Sequence, residues 1–228
     1  MTGKRAVART ETTAAIIRHA RRQLETRGAA NISLREIARD LDMASSAIYR
    51  YFESRDQLLT LLIIDAYNRL GAAIEDADAA CDRDDLIGRW IAIAGAFRGW
   101  ALINQADYGL VFGTPVPGYE APEDTNAAGL RYTNVVVRLV ADATARGCTS
   151  AIESPRIKGL ASEYRNVKKA IGVNAPDATL LAGLSAWASV FGAINLEIFG
   201  HVDNVYTDPG VHFAALVDML GRQLVGLT

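Results

Sequence analysis

SLREIARDLDMASSAIYRYFESRDQL, residues 33–58, decides the fold of this chain. Leu34, Ile37, Ala38 and Leu41 recur at helical spacing and give a first short helix an apolar face. Ser33 with Glu36 three residues on is a capping-box pattern that marks where this helix starts. Asp42-Met43-Ala44 is long enough only for a turn, and Asp tolerates left-handed backbone better than most residues. Ser45 or Ser46 is then placed to cap a second short helix, with Ile48 and Phe52 four residues apart and facing inward. Ser45, Ser46, Tyr49, Arg50 and Tyr51 are left facing outward. Ser54 with Gln57 is a second capping box and opens a third, longer helix.

Two helices joined by so short a turn make a helix-turn-helix, whose second helix can enter the major groove of DNA. The outward residues suit that role. Arg50 can hold a guanine edge through two hydrogen bonds. The serines can reach bases or phosphates, and the phenols of Tyr49 and Tyr51 can bond phosphate. Arg55 lies at a helix N-terminus, which itself attracts phosphate. On spacing alone, an ordinary αα-hairpin with a solvated polar face remains the alternative.

A longer match bears on that choice. Residues 12–67, with an opening AAIIRHARRQLETRG followed by ISLREIARDLDMASSAIYRYFESRDQLL, resemble the N-terminal DNA-binding domain of the TetR/AcrR family of transcriptional regulators. Two departures stand out: Asp42 where the family has Gly at the turn, and Arg55 where it has Lys. The resemblance implies that Ser33 and Arg35 approach the DNA backbone. It implies that Ser45, Ser46, Tyr49 and Arg50 face the groove, and that Tyr51 and Arg55 hold phosphates.

Composition fits a small head on a larger body. The 228 residues are half hydrophobic, and net charge is −2. Residues 1–60 carry eleven basic against seven acidic side chains, and the remainder thirteen against nineteen. A basic end on an acidic body is the footprint of a single nucleic-acid face. Cys81 and Cys148 make no disulfide framework and have no metal spacing, which points to a reducing, cytoplasmic compartment. Residues 1–10 are basic without an apolar core segment, so they read as a mobile arm able to lie along DNA through Lys4, Arg5 and Arg9.

The expected architecture is all-α: residues 1–56 form the arm and helix-turn-helix domain, and 57–228 a ligand-binding and dimerisation domain. Helix 1 is expected over 12–27 with Ile16, Ile17, Ala20 and Leu24 inside and Gly28 as its stop. The third helix runs over about 55–77 and links the two domains. Further helices are expected over 85–105, 124–146 (Leu130, Val136, Val137, Leu139 and Val140 apolar), 178–200 and after Asp208-Pro209, whose proline suits a first helical position. Residues 113–122 read as a proline- and glycine-rich loop. Residues 148–175 are hard to read, with one short helix near 157–171. The apolar run 178–200 is long enough to span a membrane. It is interrupted by Ser185, Ser189, Asn195 and Glu197, and reads as a buried bundle helix.

WALINQADYGLVFG at 100–113 and WASVFGAINLEIFG at 187–200 resemble the C-terminal domain of a TetR subgroup, the WHG type, with Phe191 where that pattern has His. The resemblance implies a homodimer through 178–200 and 208–226. Trp90, Phe97, Trp100, Tyr108, Phe112, Tyr132, Trp187 and Phe191, with Asn195, Asn104 and Asn134 as polar groups, form a candidate pocket for a small apolar or aromatic effector. Glu197 and His201 have metal-ligand spacing but no third ligand, so no cofactor or metal is expected. No catalytic motif is present, so the chain does not read as an enzyme. The expectation is a ligand-released repressor on a palindromic operator. The alternatives are an activator on the same fold, or a helical ligand-binding or scaffolding protein that no longer binds DNA.

Overall fold

The computed structural model describes residues 2–150 and 152–227, and the side chains of all of these but 2, 4, 5, 223 and 224. Among the described residues every regular element is helical. They are α1 (Thr2–Arg27), α2 (Leu34–Asp40), α3 (Arg55–Ala79), α4 (Leu86–Ile103), α5 (Gln105–Phe112), α6 (Asp124–Ala145), α7 (Leu160–Ile171), α8 (Asp177–Ile198) and α9 (Pro209–Met219). Short 3-10 turns lie at Ala29–Asn31 and Ile48–Arg50, and α9 passes into a wider helical turn over Leu220–Val225.

The chain packs as two compact units. The first takes the residues up to Arg69 together with Asn104–Gly129; the second takes Leu70–Ile103 and the chain from Leu130 onward. Sequence patterning does not foresee the return of 104–129 to the first unit.

In the first unit Ile16, Ala20 and Leu24 of α1 share one buried cluster with Ile37, Ile48, Phe52, Leu58, Leu59 and Leu62. α1 departs from expectation at its start. The opening residues belong to the helix from Thr2 and are not an arm apart from it. No proline interrupts them, and the hydroxyls of Thr10, Thr12 and Thr13 bond back to the carbonyls of Ala6, Ala8 and Arg9. Arg69 of α3 ties the unit together by donating to Asp65 (2.8 Å), Asn104 (2.9 Å) and Asp107 (2.6 Å), while Arg21 of α1 also pairs with Asp65.

The second unit is built on α4, whose Ile93, Ala94 and Phe97 are wholly buried, as are Ala186, Val190 and Ile194 of α8. Among the described residues two helices, α4 as well as α8, are long and apolar enough to cross a membrane by length and composition, where sequence reading picks out only the second. α9 starts as its sequence predicts: Asp208 Oδ1 accepts from the amides of Gly210 (2.8 Å) and Val211 (3.3 Å), with Pro209 at the first position. Gly221 is required where it stands. A Cβ there would lie 2.6 Å from Ile87 and 2.7 Å from Trp90, whose indole donates to the Val217 carbonyl (2.8 Å). Leu130, one of the apolar residues of α6, is 55 % exposed, and the inner face of the helix is carried by Val135, Val136, Leu139 and Ala143.

Arg89 is the most buried cation of this unit, 1 % exposed, and donates to Asp78 (2.8 Å) and Asp142 (2.7 Å). Burial pushes the Asp78 carboxyl up, but hydrogen bonds from Arg89 and Arg83 outweigh it and hold Asp78 below the usual carboxylate range. Removing one partner of a buried pair leaves an uncompensated charge. Arg89→Ala should therefore lower the unfolding free energy by about 3 kcal/mol, read as a fall in urea midpoint. A carboxyl depressed in the folded state stabilises above its unfolded pKa near 4 and loses that contribution as pH falls below it. The midpoint of the wild type should thus drop more steeply below about pH 4 than that of Asp78→Asn.

Candidate nucleic-acid interface

The exposed polar face of the first unit is assembled from α2 outward. Ser33 caps α2 by accepting from the Glu36 amide (3.4 Å). The other half of the expected capping box comes from elsewhere: the Gln23 side chain of α1 accepts from the Ser33 amide (2.9 Å), and Glu36 pairs with Arg27. α2 is thereby fixed to α1 at its first residue. At its far end Asp42 takes φ 52°, among the described residues the one non-glycine in the left-handed region, and the Met43 amide reaches the Ala38 carbonyl (2.8 Å). This is the left-handed turn that Asp42 is suited to make.

The next element differs from expectation. Residues 48–50 form a 3-10 turn preceded by a tight turn at 44–47, and not a capped α-helix. Neither Ser45 nor Ser46 supplies a cap hydrogen bond. With its N-terminal amides unbound by a side chain, the segment holds only a single turn of helix. Its two faces are as the sequence predicts except at Tyr51, expected outward, whose ring is half-buried against the core cluster. Ile48 is wholly buried and Phe52 3 % exposed, while Ser45, Ser46, Tyr49 and Arg50 are exposed. Arg35 is exposed on α2. So is Arg39, one turn on, which sequence reading passed over although its spacing from Arg35 puts both on one face. Arg35, Arg39, Met43, Ala44 and Ser45 border a shallow open recess.

Two further cations, besides Arg21, Arg27 and Arg69, are engaged within the unit. Arg55 donates to the carbonyls of Ala29 (3.0 Å) and Ala30 (3.1 Å), tying the start of α3 to the first 3-10 turn. Arg9 donates to the Arg50 carbonyl (3.3 Å) and lies 5.8 Å from the centre of the Tyr51 ring. The expected roles of Lys4 and Arg5 fall on side chains outside the described residues. Ser54 caps α3 by accepting from the Gln57 amide (3.1 Å), and Gln57 in turn accepts from the Glu53 amide (2.8 Å).

The candidate effector residues divide. Phe97, Tyr132, Trp187 and Phe191 of the second unit form one aromatic cluster. Phe97 lies 4.8 Å from Phe191 and stacks at 5.5 Å on Trp187, and Trp90 meets Trp187 edge-on at 6.4 Å. Burial pushes the Tyr132 phenol above its ordinary range, so it stays neutral. Trp100, on α4, is 7 % exposed. Asn195 turns back to its own helix, donating to the Phe191 carbonyl (3.0 Å). Tyr108 and Phe112 sit on α5 in the first unit, their rings 5.1 Å apart. The cluster is packed ring on ring. Beside it a cavity of about 90 Å³ lies between α6, α7 and α8, walled by Val136, Val140, Ile171, Leu180 and Trp187. Glu197 receives two hydrogen bonds from Arg98, and α8 ends before His201, so the two do not form a metal pair on one helix. Among the described residues no cluster of metal-ligating side chains occurs.

Comparison with known proteins follows the same two parts. The sequence profile of bacterial regulatory proteins of the tetR family matches residues 16–62, and that of the tetracyclin repressor-like C-terminal domain matches 90–220. HTH-type transcriptional regulator Rv1816 of Mycobacterium tuberculosis is 41 % identical over 225 residues, covering 96 % of this chain and 94 % of the relative. Mb1846 of Mycobacterium bovis, also an HTH-type transcriptional regulator, has the same identity and coverage. The crystal structure of SCO4313 superposes with a TM-score of 0.78 at 33 % identity, covering 94 % of this chain and 97 % of that one.

The surface and core roles separate by stability. Tyr49→Ala and Arg50→Ala should each change unfolding free energy by no more than about 0.5 kcal/mol. Phe52→Ala should cost about 3–5 kcal/mol in the same thermal or urea melts.

Proposed function

The chain belongs to the TetR family of bacterial transcriptional regulators, and from that premise we propose that it is a ligand-released repressor gripping a palindromic operator as a homodimer. Membership makes it a cytoplasmic DNA-binding regulator that dimerises, and not an enzyme. The observation that carries the finer reading is the two-faced segment 45–52. Ile48 and Phe52 are buried, and this turns Ser45, Ser46, Tyr49 and Arg50 outward together. In this reading Ser45, Ser46, Tyr49 and Arg50 face the groove, Ser33 and Arg35 approach the DNA backbone, and Tyr51 and Arg55 hold phosphates. Arg55 then shares its guanidinium with the carbonyls that it already holds. Residues 1–56 carry DNA recognition, and 57–228 carry effector binding and dimerisation.

An exposed apolar face supports the dimer contact on α8 and α9. Leu184 and Leu196 are each 48 % exposed, Phe199 49 %, Val211 67 % and Met219 43 %. A second copy covering this face buries it, and two recognition turns roughly 34 Å apart then meet successive major grooves. This reading takes the apolar length of α8 as subunit contact and not as a membrane span. The effector is a small apolar or aromatic molecule taken up at the aromatic cluster of the second unit. It releases DNA by binding better to the conformer whose recognition turns are wrongly spaced, and α3, whose residues divide between the units, carries the change.

Selection from a pool of random duplex DNA at near-physiological salt tests the reading. A palindrome should be enriched by the wild type and lost with Arg50→Ala and with Tyr49→Ala. No enrichment, or enrichment that both variants keep, overturns the recognition assignment. Sedimentation should give twice the 24.6 kDa chain mass, and Leu196→Glu with Val211→Glu should return it to one chain mass.

A further inference from the structure

We propose that Arg9 is a positioning residue for DNA recognition, closing the open end of the turn at Ile48–Arg50 and so fixing how Tyr49 and Arg50 are presented. The inference rests on the reading of that turn as the DNA-contacting element. A single 3-10 turn satisfies few of its own backbone groups. Its bonds run from the Arg50 amide to the Ala47 carbonyl and from the amides of Tyr51 and Phe52 to the Ile48 carbonyl, which leaves the Arg50 carbonyl outside them. No side chain caps its beginning. At its end the Arg50 carbonyl receives the Arg9 guanidinium at 3.3 Å, and the same cation rests 5.8 Å from the centre of the Tyr51 ring. One side chain thus meets the residue carrying the expected base contact and the residue after it.

The placement of Arg9 follows from α1. Residues 9, 16, 20 and 24 keep to one helical face. Ile16, Ala20 and Leu24 are buried in the core of the first unit. Because α1 is continuous from Thr2, Arg9 lies on the same face two turns before Ile16, where its exposed side chain reaches the recognition turn. A flexible basic arm held loosely on DNA makes no such contact. A planar guanidinium suits the role, since its fork can donate to a carbonyl while its face lies on a ring.

A phosphate contact and a positioning residue differ in what they change. A lost phosphate contact weakens binding to all sequences alike and reduces the salt dependence by about one charge. A lost brace loosens the turn and weakens the preferred sequence most. The test uses full-length wild type and Arg9→Ala in two arms. The first is amide hydrogen exchange on the DNA-free proteins. Residues 44–53 should exchange about fivefold faster in the variant, one exposed hydrogen bond's worth, with α8 unchanged as the reference for global stability. The second is binding across salt concentrations to the duplex that the wild type enriches from the random pool and to a scrambled duplex of equal composition. The preference for the first over the second should fall roughly fivefold, with the salt slope unchanged. Unchanged exchange at 44–53 overturns the proposal, as does equal loss on both duplexes with a slope smaller by about one. If the wild type enriches no duplex, the recognition reading fails, and the exchange arm still decides the contact.

Discussion

The burial of Ile48 and Phe52 is the constraint on which the head depends. A helical segment this short cannot hold itself in water, since the first turn fixes several dihedrals for little return. Its conformation must come from tertiary packing. The two side chains four residues apart supply it by entering the cluster that holds Ile16, Ile37 and Leu59. Once both point inward, Tyr49 and Arg50 between them have no direction left but outward. Recognition chemistry is in this sense a by-product of core packing, and α1 and α2 serve to build the cavity that receives those two residues.

Arginine holds the rest in place. The chain has twenty arginines and four lysines, and the planar guanidinium fork suits paired carboxylates and carbonyls. Arg69 joins α3 to α5 through Asp107, Arg89 bridges Asp78 and Asp142, and Arg98 grips Glu197. This alters the meaning of the basic head. Of its cations, Arg9, Arg21, Arg27 and Arg55 are engaged in contacts inside the unit. Among the described residues the exposed positive charge beside the turn that makes no such contact is at Arg35, Arg39 and Arg50.

Periodicity made most of the fold legible. The apolar stripes of α1 and α2, the proline at the start of α9 and the turn at Asp42 each follow from one local rule that no distant contact opposes. What stayed hidden depended on partners far away in sequence. Gln23 completes the cap of α2 from ten residues upstream, and Arg55 turns to the Ala29 carbonyl, a choice spacing cannot reveal. The segment 104–129 joins the first unit because Tyr119 meets Thr60 (2.9 Å) and Leu110 enters the core there, although its sequence runs on from α4. For the candidate interface, outward residue types were readable. The 3-10 geometry was not, because it reflects a cap that is missing.

The aromatic residues place a physical condition on the proposed release mechanism. Sequence reading sees ring-bearing residues as walls around a space; in the second unit Phe97, Tyr132, Trp187 and Phe191 use one another as partners. The neighbouring cavity of about 90 Å³ is smaller than the roughly 150 Å³ that suffices for benzene. An effector of ordinary size taken up at the cluster, and not in the roomier recess of about 250 Å³ between α8 and α9, must therefore part the rings, and well-packed interiors shift between discrete arrangements instead of yielding continuously. A molecule that enters only a rearranged interior has, by that fact, different affinity for two conformers. Such a difference is the one thermodynamic requirement for a ligand to move a protein between states. A filled interior is thus compatible with effector control, and it makes the coupling of binding to conformation a consequence of packing.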